Sequence, residues 1–416
     1  MDFLQELELR GLIKDVTDYD NFKIRLQKPL TLYCGFDPTA DSLHIGHLQQ
    51  ILILKRYQEA GHRVIALCGG GTGMIGDPRP TSERQLQSLE TINENVIALK
   101  KQLSRFLDFS HDRAILENNY NWLSEIGLLE FLRDYGKHFN VNYMIAKDIV
   151  SSRLKTGISF TEFSYTILQA IDWLKLYEMY QCEVQIGGSD QWGNLTSGTE
   201  LIRKMLGDKV KVYGVTSTLI MKSDGSKFGK SEGENIWLDA NRTSPYEFYQ
   251  YFINTSDDDI IDFLNRLSFK SLAEISELEV SVKEKPHLRE AQKALAEELT
   301  LLVHGEVGLK QALNITETLF YGDPKTLSKV ELLQGLKDAE KTVMIETMNL
   351  VDGLVFAKIA SSKREARELI KNGSITVNGD KVLDFEFLLT KTDAIHQSLT
   401  IIKRGKKRFH VLVYED

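Results

Sequence analysis

Cysteine is scarce. The three thiols, Cys34, Cys68 and Cys182, cannot all pair, show no CxxC spacing and stand in apolar surroundings. That excludes a disulfide-framed fold and argues against a zinc site, so no bound metal is expected. Long apolar runs are also lacking, since nothing approaches the ~20 residues of a membrane span. The opening text, MDFLQELELRGLIKDVTDYD, has no basic stretch followed by an apolar core. The expectation is a cytoplasmic protein with no membrane partner. Neither an internal repeat nor a low-complexity tract is present.

With 42% hydrophobic and 26% charged residues over 416 positions, the composition is that of a globular chain. The length suits two to four domains. A net charge of −8 speaks against a nucleic-acid binder only as a total, because the charge is unevenly spread. Residues 352–416 hold 12 Lys+Arg against 9 Asp+Glu, while the remainder holds 39 against 50. The tail is either a basic module on an acidic body or a solvated charged appendage.

From about Leu30 the text alternates strand and helix signals: LTLYCGF, HIGHLQQILILKRYQEAG, VIALCGG, long helical stretches, then EVQIGGSD and KVYGVT. This is the rhythm of an open, doubly wound parallel sheet, the Rossmann-like α/β class. Glycine and turn clusters follow the strands at Gly35–Asp41, Gly69–Pro80 and Gly187–Gly193. Beyond the carboxyl ends of such strands they converge on one crevice. The expected division is a catalytic domain over 1–238, a helical domain over 239–320, a connection over 321–350 and a small α+β module over 351–416.

His44-Ile45-Gly46-His47 opens the helix after the first of these strands. Two histidines at i and i+3 share a helix face beside backbone N–H groups and the positive end of the dipole, which suits an anionic ligand. An isolated HxxH can equally be a pair of ordinary polar residues. Lys227-Phe228-Gly229-Lys230-Ser231 lies in a polar, glycine-rich stretch. It is not a phosphate-binding P-loop, because only three residues separate Gly225 from Gly229 where four are needed. Its two lysines and serine remain suited to clamping a triphosphate held elsewhere. Phe160 to Tyr180 reads as a helix apolar nearly all round, yet Tyr165, Gln169 and Asp172 form a polar stripe along it. Such groups need partners, supplied by an internal network or by a ligand.

HIGH and KFGKS in this order resemble the two signatures of the class I aminoacyl-tRNA synthetases. LYCGFDPTADSLHIGH, GISFTEFSYTILQAIDWLKLYE and QIGGSDQWGN resemble the bacterial tyrosyl group of that class, over the full length of the chain. The resemblance implies L-tyrosine, Mg-ATP and tRNA(Tyr) as substrates, a homodimer, and no tightly bound prosthetic group. It implies that Tyr33 and Asp172 meet the phenol hydroxyl. Tyr165, Gln169 and Asp77 would hold the amino group, with Gln185 close by and Gln191 near the carboxylate. Cys34, Gly35, Asp37, Gly46 and Gly187 would border the nucleotide, and Asp190 would bind its ribose. Thr39, His44 and His47 would face the departing pyrophosphate, joined by Lys227, Lys230, Ser231 and Arg84. The sequence departs from the family pattern at Asp77–Arg84, which is one residue short and lacks lysine, leaving Arg79 as a candidate substitute. The tail resembles an S4-type RNA-binding module through Ser361–Arg367 and Ile375–Gly379. It would contact tRNA through Lys363, Arg364, Arg367, Lys406, Lys407 and Arg408.

Overall fold

The computed structural model describes residues 1–78, 86–154, 157–225, 228–231, 234–405 and 408–414, with Asp148, Ile149, Lys230 and Ser231 described by backbone alone. The chain divides into two compact units, Met1–Thr243 with Phe252–Val303, and Ser244–Tyr251 with His304–Asp416.

The first unit is built on β1 (Asp15–Val16), β2 (Thr31–Phe36), β3 (Arg63–Cys68), β4 (Ala114–Asn118), β5 (Cys182–Gly188) and β6 (Tyr213–Ser217). Their order in the sheet is β1-β6-β5-β2-β3-β4. All neighbours run parallel except the short β1, which is antiparallel to β6. The chain winds outward from β2 to β4, then returns to β5 and winds the other way. That reversal puts the carboxyl ends of β2 and β5 side by side, and doubly wound sheets bind their ligands at such a crevice. Five of the six residues of β3 are buried; a strand covered on both faces reads as an uninterrupted apolar run. The edge strands β1 and β4 gave no such signal. Only Ala114 of β4 is fully buried, and its text AILEN was absorbed into the expected helical stretch.

Helix Ile45–Glu59 follows β2, and helix Phe160–Tyr180 precedes β5. The latter starts where Ser159 Oγ accepts the Glu162 N–H at 3.2 Å, and ends at Gln181 in the left-handed region, φ 53°. A buried ion pair, Arg153–Glu162 at 3.0 Å, ties its first turn to the preceding segment. Its apolar residues Ile167, Ala170, Ile171, Trp173 and Leu174 join Tyr33, Ile65 and Leu67 of the sheet in one core. Helix Trp192–Leu206 crosses it closely: a Cβ on Gly198 would lie 2.5 Å from Cε3 of Trp173.

Downstream lie helices Pro245–Ile253, Ile260–Leu267, Leu272–Glu284 and Glu290–Tyr321, the last interrupted at Gly305, φ 71°. The helical stretch expected over 239–320 is thus shared between the units. In the second unit, five strands follow the order Asp380–Lys381, Ile375–Val377, Leu399–Arg404, Arg408–Tyr414, Glu340–Met344. The edge strand Glu340–Met344 comes from the stretch expected as a bare connection and pairs in parallel with Arg408–Tyr414. Its mostly exposed sequence, EKTVM, carries no apolar run to announce it. At the opposite edge, Asn378 and Gly379 turn the hairpin between Ile375–Val377 and Asp380–Lys381 with φ 52° and 91°, as an Asn-Gly pair does in a tight turn. Leu350, Leu354, Ala366, Ile370, Ile375, Ile402 and Leu412 form the core beneath.

The contact at Gly198 yields a test. Gly198→Ala forces the indole of Trp173 or the helix to shift, and overpacking of this kind costs about 1–3 kcal/mol. Urea unfolding of the variant should show that loss; unchanged stability would mean that the two helices have room between them.

Candidate active site

The HIGH corner is a capped helix start in which each histidine has two jobs. His44 is the residue before the helix, and its Nδ1 accepts the Gly46 N–H at 3.0 Å. His47 Nδ1 accepts the His44 N–H at 3.2 Å, closing a reciprocal cap. The rings lie 4.0 Å apart between centroids. With each Nδ1 accepting from the backbone, the neutral ring carries its proton on Nε2. The cap therefore fixes two N–H donors at the positive end of a 15-residue helix.

The described part of KFGKS comes to this corner. Trp237 bridges His44 in an antiparallel pair, Ile45 N–H donates to Ile236 O at 2.9 Å, and Leu238 N–H donates to Leu43 O at 2.8 Å. Gly229, φ 92°, accepts the Ile236 N–H at 3.0 Å, and a Cβ there would stand 3.3 Å from the Gly46 nitrogen. The left-handed backbone and the close approach both require glycine. Phe228 packs edge-on against Phe263 with centroids 5.0 Å apart. Lys227 lies outside the described residues, as do Arg79, Arg84, Lys406 and Lys407, and Lys230 and Ser231 are placed by backbone only.

On the other side of the crevice a chain of polar groups runs inward. Tyr165 OH donates to Asp37 Oδ2 at 3.0 Å, and Thr72 Oγ donates to Asp37 Oδ1 at 2.9 Å. Asn119 Nδ2 donates to Thr72 Oγ at 2.9 Å and to Asp172 Oδ2 at 2.8 Å, while Trp122 Nε1 donates to Asp172 Oδ1 at 2.8 Å. Asp172 is only 2% exposed. Burial pushes its carboxyl up to about 7, against the pull of the Asn119 and Trp122 donors. The polar stripe on helix Phe160–Tyr180 is thus met by an internal network at Asp172.

That network does not reach every polar atom. Tyr33 OH, Gln169 Oε1 and Gln185 Oε1 are buried without a hydrogen-bond partner among the described residues. Tyr33 and Gln185 are register partners on β2 and β5, the two strands at the reversal. The Tyr33 phenol is held well above its ordinary range by burial first and by the nearby Asp172 second. Asp77 lies near Tyr165, whose phenol is raised by burial first and then by Asp37 and Asp77. Tyr165 hydrogen-bonds Asp37 rather than Asp77, and Asp77 accepts from Gln191 Nε2 at 2.8 Å and Asn194 Nδ2 at 3.3 Å. Lys147 donates to Thr166 Oγ at 3.1 Å, to Gly193 O at 2.6 Å and to Ser197 Oγ, joining the two helices behind this pair. Burial lowers its ammonium to about 8.

Cys34 is buried, and burial pushes its thiol up to about 12, so it stays protonated. Gly35 is exposed in β2, and space is open where its Cβ would be. Thr39 and Asp190 are exposed. Gly187 packs against Gln191, its Cβ position 3.1 Å from that of the glutamine. In the second unit, helix Lys363–Lys371 presents Lys363, paired with Asp352 at 2.6 Å, beside Arg364 and Arg367, and Arg408 begins the last strand. Thr72, Asn119, Trp122, Lys147 and Asn194 are participants that the motifs did not single out. Recognising Ala114–Asn118 as a strand would have put Asn119 at a strand's carboxyl end.

A Rossmann-like sheet with a histidine-capped helix facing a KFGKS segment defines a class I tRNA synthetase. Residues 25–321 match the family model for tRNA synthetases class I (W and Y), and the chain belongs to that family. Residues 331–412 match the Tyrosine–tRNA ligase SYY-like C-terminal domain. The chain is 53% identical over 419 residues to a tyrosine–tRNA ligase of Bacillus caldotenax, covering 100% of both chains. It is 52% identical over 418 residues to that of Staphylococcus carnosus, covering 100% of this chain and 99% of the relative. Among solved structures it resembles a C-terminally truncated mitochondrial tyrosyl-tRNA synthetase of Aspergillus nidulans, with a TM-score of 0.68 and 31% identity over 76% of this chain and 94% of that one.

The buried carboxyl makes a pH prediction. Folding raises Asp172 from 3.8 to about 7, so the native state favours its protonated form. The contribution is complete below about pH 4 and is lost as pH rises through about 7. Asp172→Asn cannot titrate, so its stability deficit relative to wild type should narrow by up to about 4 kcal/mol over that window. Urea unfolding at a series of pH values measures the gap; a constant gap would show that Asp172 ionises normally.

Proposed function

We propose that this site activates L-tyrosine with Mg-ATP and then charges the 3′-terminal adenosine of tRNA(Tyr), so that the chain acts as a tyrosine–tRNA ligase. The observation that carries the reading is the trio of buried atoms without a partner among the described residues, Tyr33 OH, Gln169 Oε1 and Gln185 Oε1, with Asp172 near Tyr33 and Asp37, Asp77 and Asp172 near Tyr165. Unpaired buried polar atoms are costly. A tyrosine supplies a hydroxyl that both donates and accepts, and an ammonium with three donors. Tyr33 with Asp172 suits the first, and Tyr165 with Gln169 and Asp77 the second.

In the first step a tyrosine carboxylate oxygen attacks the α-phosphorus, the bond to the bridging oxygen breaks, and pyrophosphate leaves with magnesium. In the second, a ribose hydroxyl of the tRNA attacks the tyrosyl carbonyl and AMP leaves. No side chain becomes covalently attached. The Nε2–H donors of His44 and His47 stabilise charge developing on the phosphates, joined by Thr39 and by Lys227, Lys230 and Ser231 of the loop. Arg84, with Arg79 in place of a lysine, contributes to the same anion. Gln191 stands near the reacting carboxylate, Asp190 binds the ribose, and Cys34, Gly35, Asp37, Gly46 and Gly187 border the nucleotide.

The C-terminal module binds the tRNA through Lys363, Arg364, Arg367, Lys406, Lys407 and Arg408, whose phosphate contacts add affinity without reading sequence. The chain acts as a homodimer in the cytoplasm. Supporting the dimer, Leu128, Leu129, Leu132, Val141, Tyr143, Leu154 and Phe160 are large exposed apolar residues within one short stretch of the first unit.

Selectivity tests the assignment. Phenylalanine would leave Tyr33 and its neighbours unpaired. A site built to hydrogen-bond a substrate hydroxyl rejects the analogue that lacks it, as tyrosyl enzymes in general reject phenylalanine. Tyr33→Phe should reduce the preference for tyrosine over phenylalanine by about tenfold, the worth of one net hydrogen bond. Activation kinetics with both amino acids read the ratio, and unchanged discrimination would remove Tyr33 from the phenol site.

A further inference from the structure

Asp259, Phe263 and Arg266 follow one another along one face of helix Ile260–Leu267, with Asp259 at its N-cap. Each meets the stretch of chain that leads from β6 into KFGKS. Arg266 donates to Thr218 O at 3.1 Å, Asp259 Oδ1 accepts the Ser223 N–H at 2.8 Å, and the Phe263 ring meets Phe228 with centroids 5.0 Å apart.

The behaviour of Asp259 is unusual for its place. Aspartate at an N-cap ordinarily accepts from the first turn of its own helix, yet here no such cap bond forms among the described residues. One oxygen goes to the Ser223 N–H and the other to the Ser256 hydroxyl at 2.7 Å, and the residue is only 8% exposed. A buried carboxylate is thus committed to the backbone of a turn whose own residues, Ser223 to Gly225, are exposed. Arg266 is likewise held in place, by Asp262 at 2.7 Å.

The far side of helix Ile260–Leu267 is gripped by the helix that His44 caps. On helix Ile45–Glu59, Arg56 donates to Ser268 O and stands 4.4 Å from the centroid of the Phe269 ring. Gln49 of the same helix donates to Thr218 O at 3.0 Å, sharing that carbonyl with Arg266. Arg10, at the end of helix Phe3–Leu9, donates to Asn265 O at 3.3 Å and to Lys270 O at 2.7 Å. Cations on the last carbonyls of a helix satisfy them and complement its dipole, which fixes that end. One continuous frame therefore runs from the histidine corner through helix Ile260–Leu267 to Phe228. Resting on the reading that KFGKS meets the phosphates, we propose that Asp259 and Arg266 are positioning residues for tyrosine activation: they fix the KFGKS segment against the histidine corner.

The test compares full-length Asp259→Ala, Asp259→Asn and Arg266→Met with wild type, by single-turnover formation of tyrosyl-adenylate and by equilibrium binding of tyrosine. Asp259→Ala should slow adenylate formation by about tenfold, within the loss that a misplaced reacting group causes. Its tyrosine affinity should equal that of wild type. Asp259→Asn keeps an acceptor for the Ser223 N–H and should restore most of the rate. Arg266→Met keeps an apolar stem and should slow the step by a smaller factor, since Gln49 still holds Thr218 O; it decides the matter should Asp259→Ala not fold. Combined with Lys230→Ala, either variant should cost much less than it does alone, because residues acting as a unit are not additive. A wild-type rate in whichever of Asp259→Ala and Arg266→Met folds would overturn the proposal. So would a loss that Asp259→Asn does not relieve, that Lys230→Ala leaves undiminished, or that comes with weakened tyrosine binding. An unchanged rate in Lys230→Ala alone would instead overturn the reading of KFGKS on which the proposal rests.

Discussion

A carboxylate cannot be buried alone, and the site is organised around the answer to that constraint at Asp172. Desolvation of a lone carboxylate costs several kcal/mol. Asn119 and Trp122 each give it a donor, and Asn119 in turn is held by Thr72 and by donation from the Gly71 N–H at 2.7 Å. Thr72 then leads to Asp37, and Asp37 to Tyr165. One side chain thereby links β4, the turn after β3, the end of β2 and helix Phe160–Tyr180. On the function proposed above, a substrate hydroxyl arriving beside Tyr33 would meet groups already oriented around Asp172, which limits the reorganisation required on binding.

The histidine corner solves a different problem. Helix starts leave N–H groups without partners. Here two of them are taken by histidine Nδ1 atoms. Capping fixes the tautomer and the ring orientation together, so a structural requirement of the helix also presents two N–H donors. Joined to it, the strand-like stretch Ile236–Leu238 holds the end of the KFGKS segment against the same corner. The Asp172 network is buried and internally partnered but leaves Tyr33 OH, Gln169 Oε1 and Gln185 Oε1 without a partner among the described residues, while the histidine corner is half-buried.

The central parallel strands and the polar stripe of the long helix were legible because a fully buried strand and an apolar helix leave strong periodic signals. The stripe itself could not say whether its partners were internal or external, and both turned out to be present: Asp172 is internally partnered and Gln169 Oε1 is not. The half-exposed edge strands Ala114–Asn118 and Glu340–Met344 were not legible, because edge position removes the apolar run. Asn119 was missed for that reason alone. The pairing of Asp77 with Gln191 and Asn194 brings together residues more than a hundred positions apart, and local patterns cannot register such a contact.

The central claim is that this network and this corner serve one amino acid and one nucleotide. ATP–pyrophosphate exchange measured with the purified chain and each standard amino acid in turn tests it most directly. The account predicts exchange with tyrosine at a rate far above that with any other, phenylalanine and tryptophan included. Exchange supported by tryptophan or phenylalanine as well as by tyrosine, or no exchange with any amino acid, would contradict it.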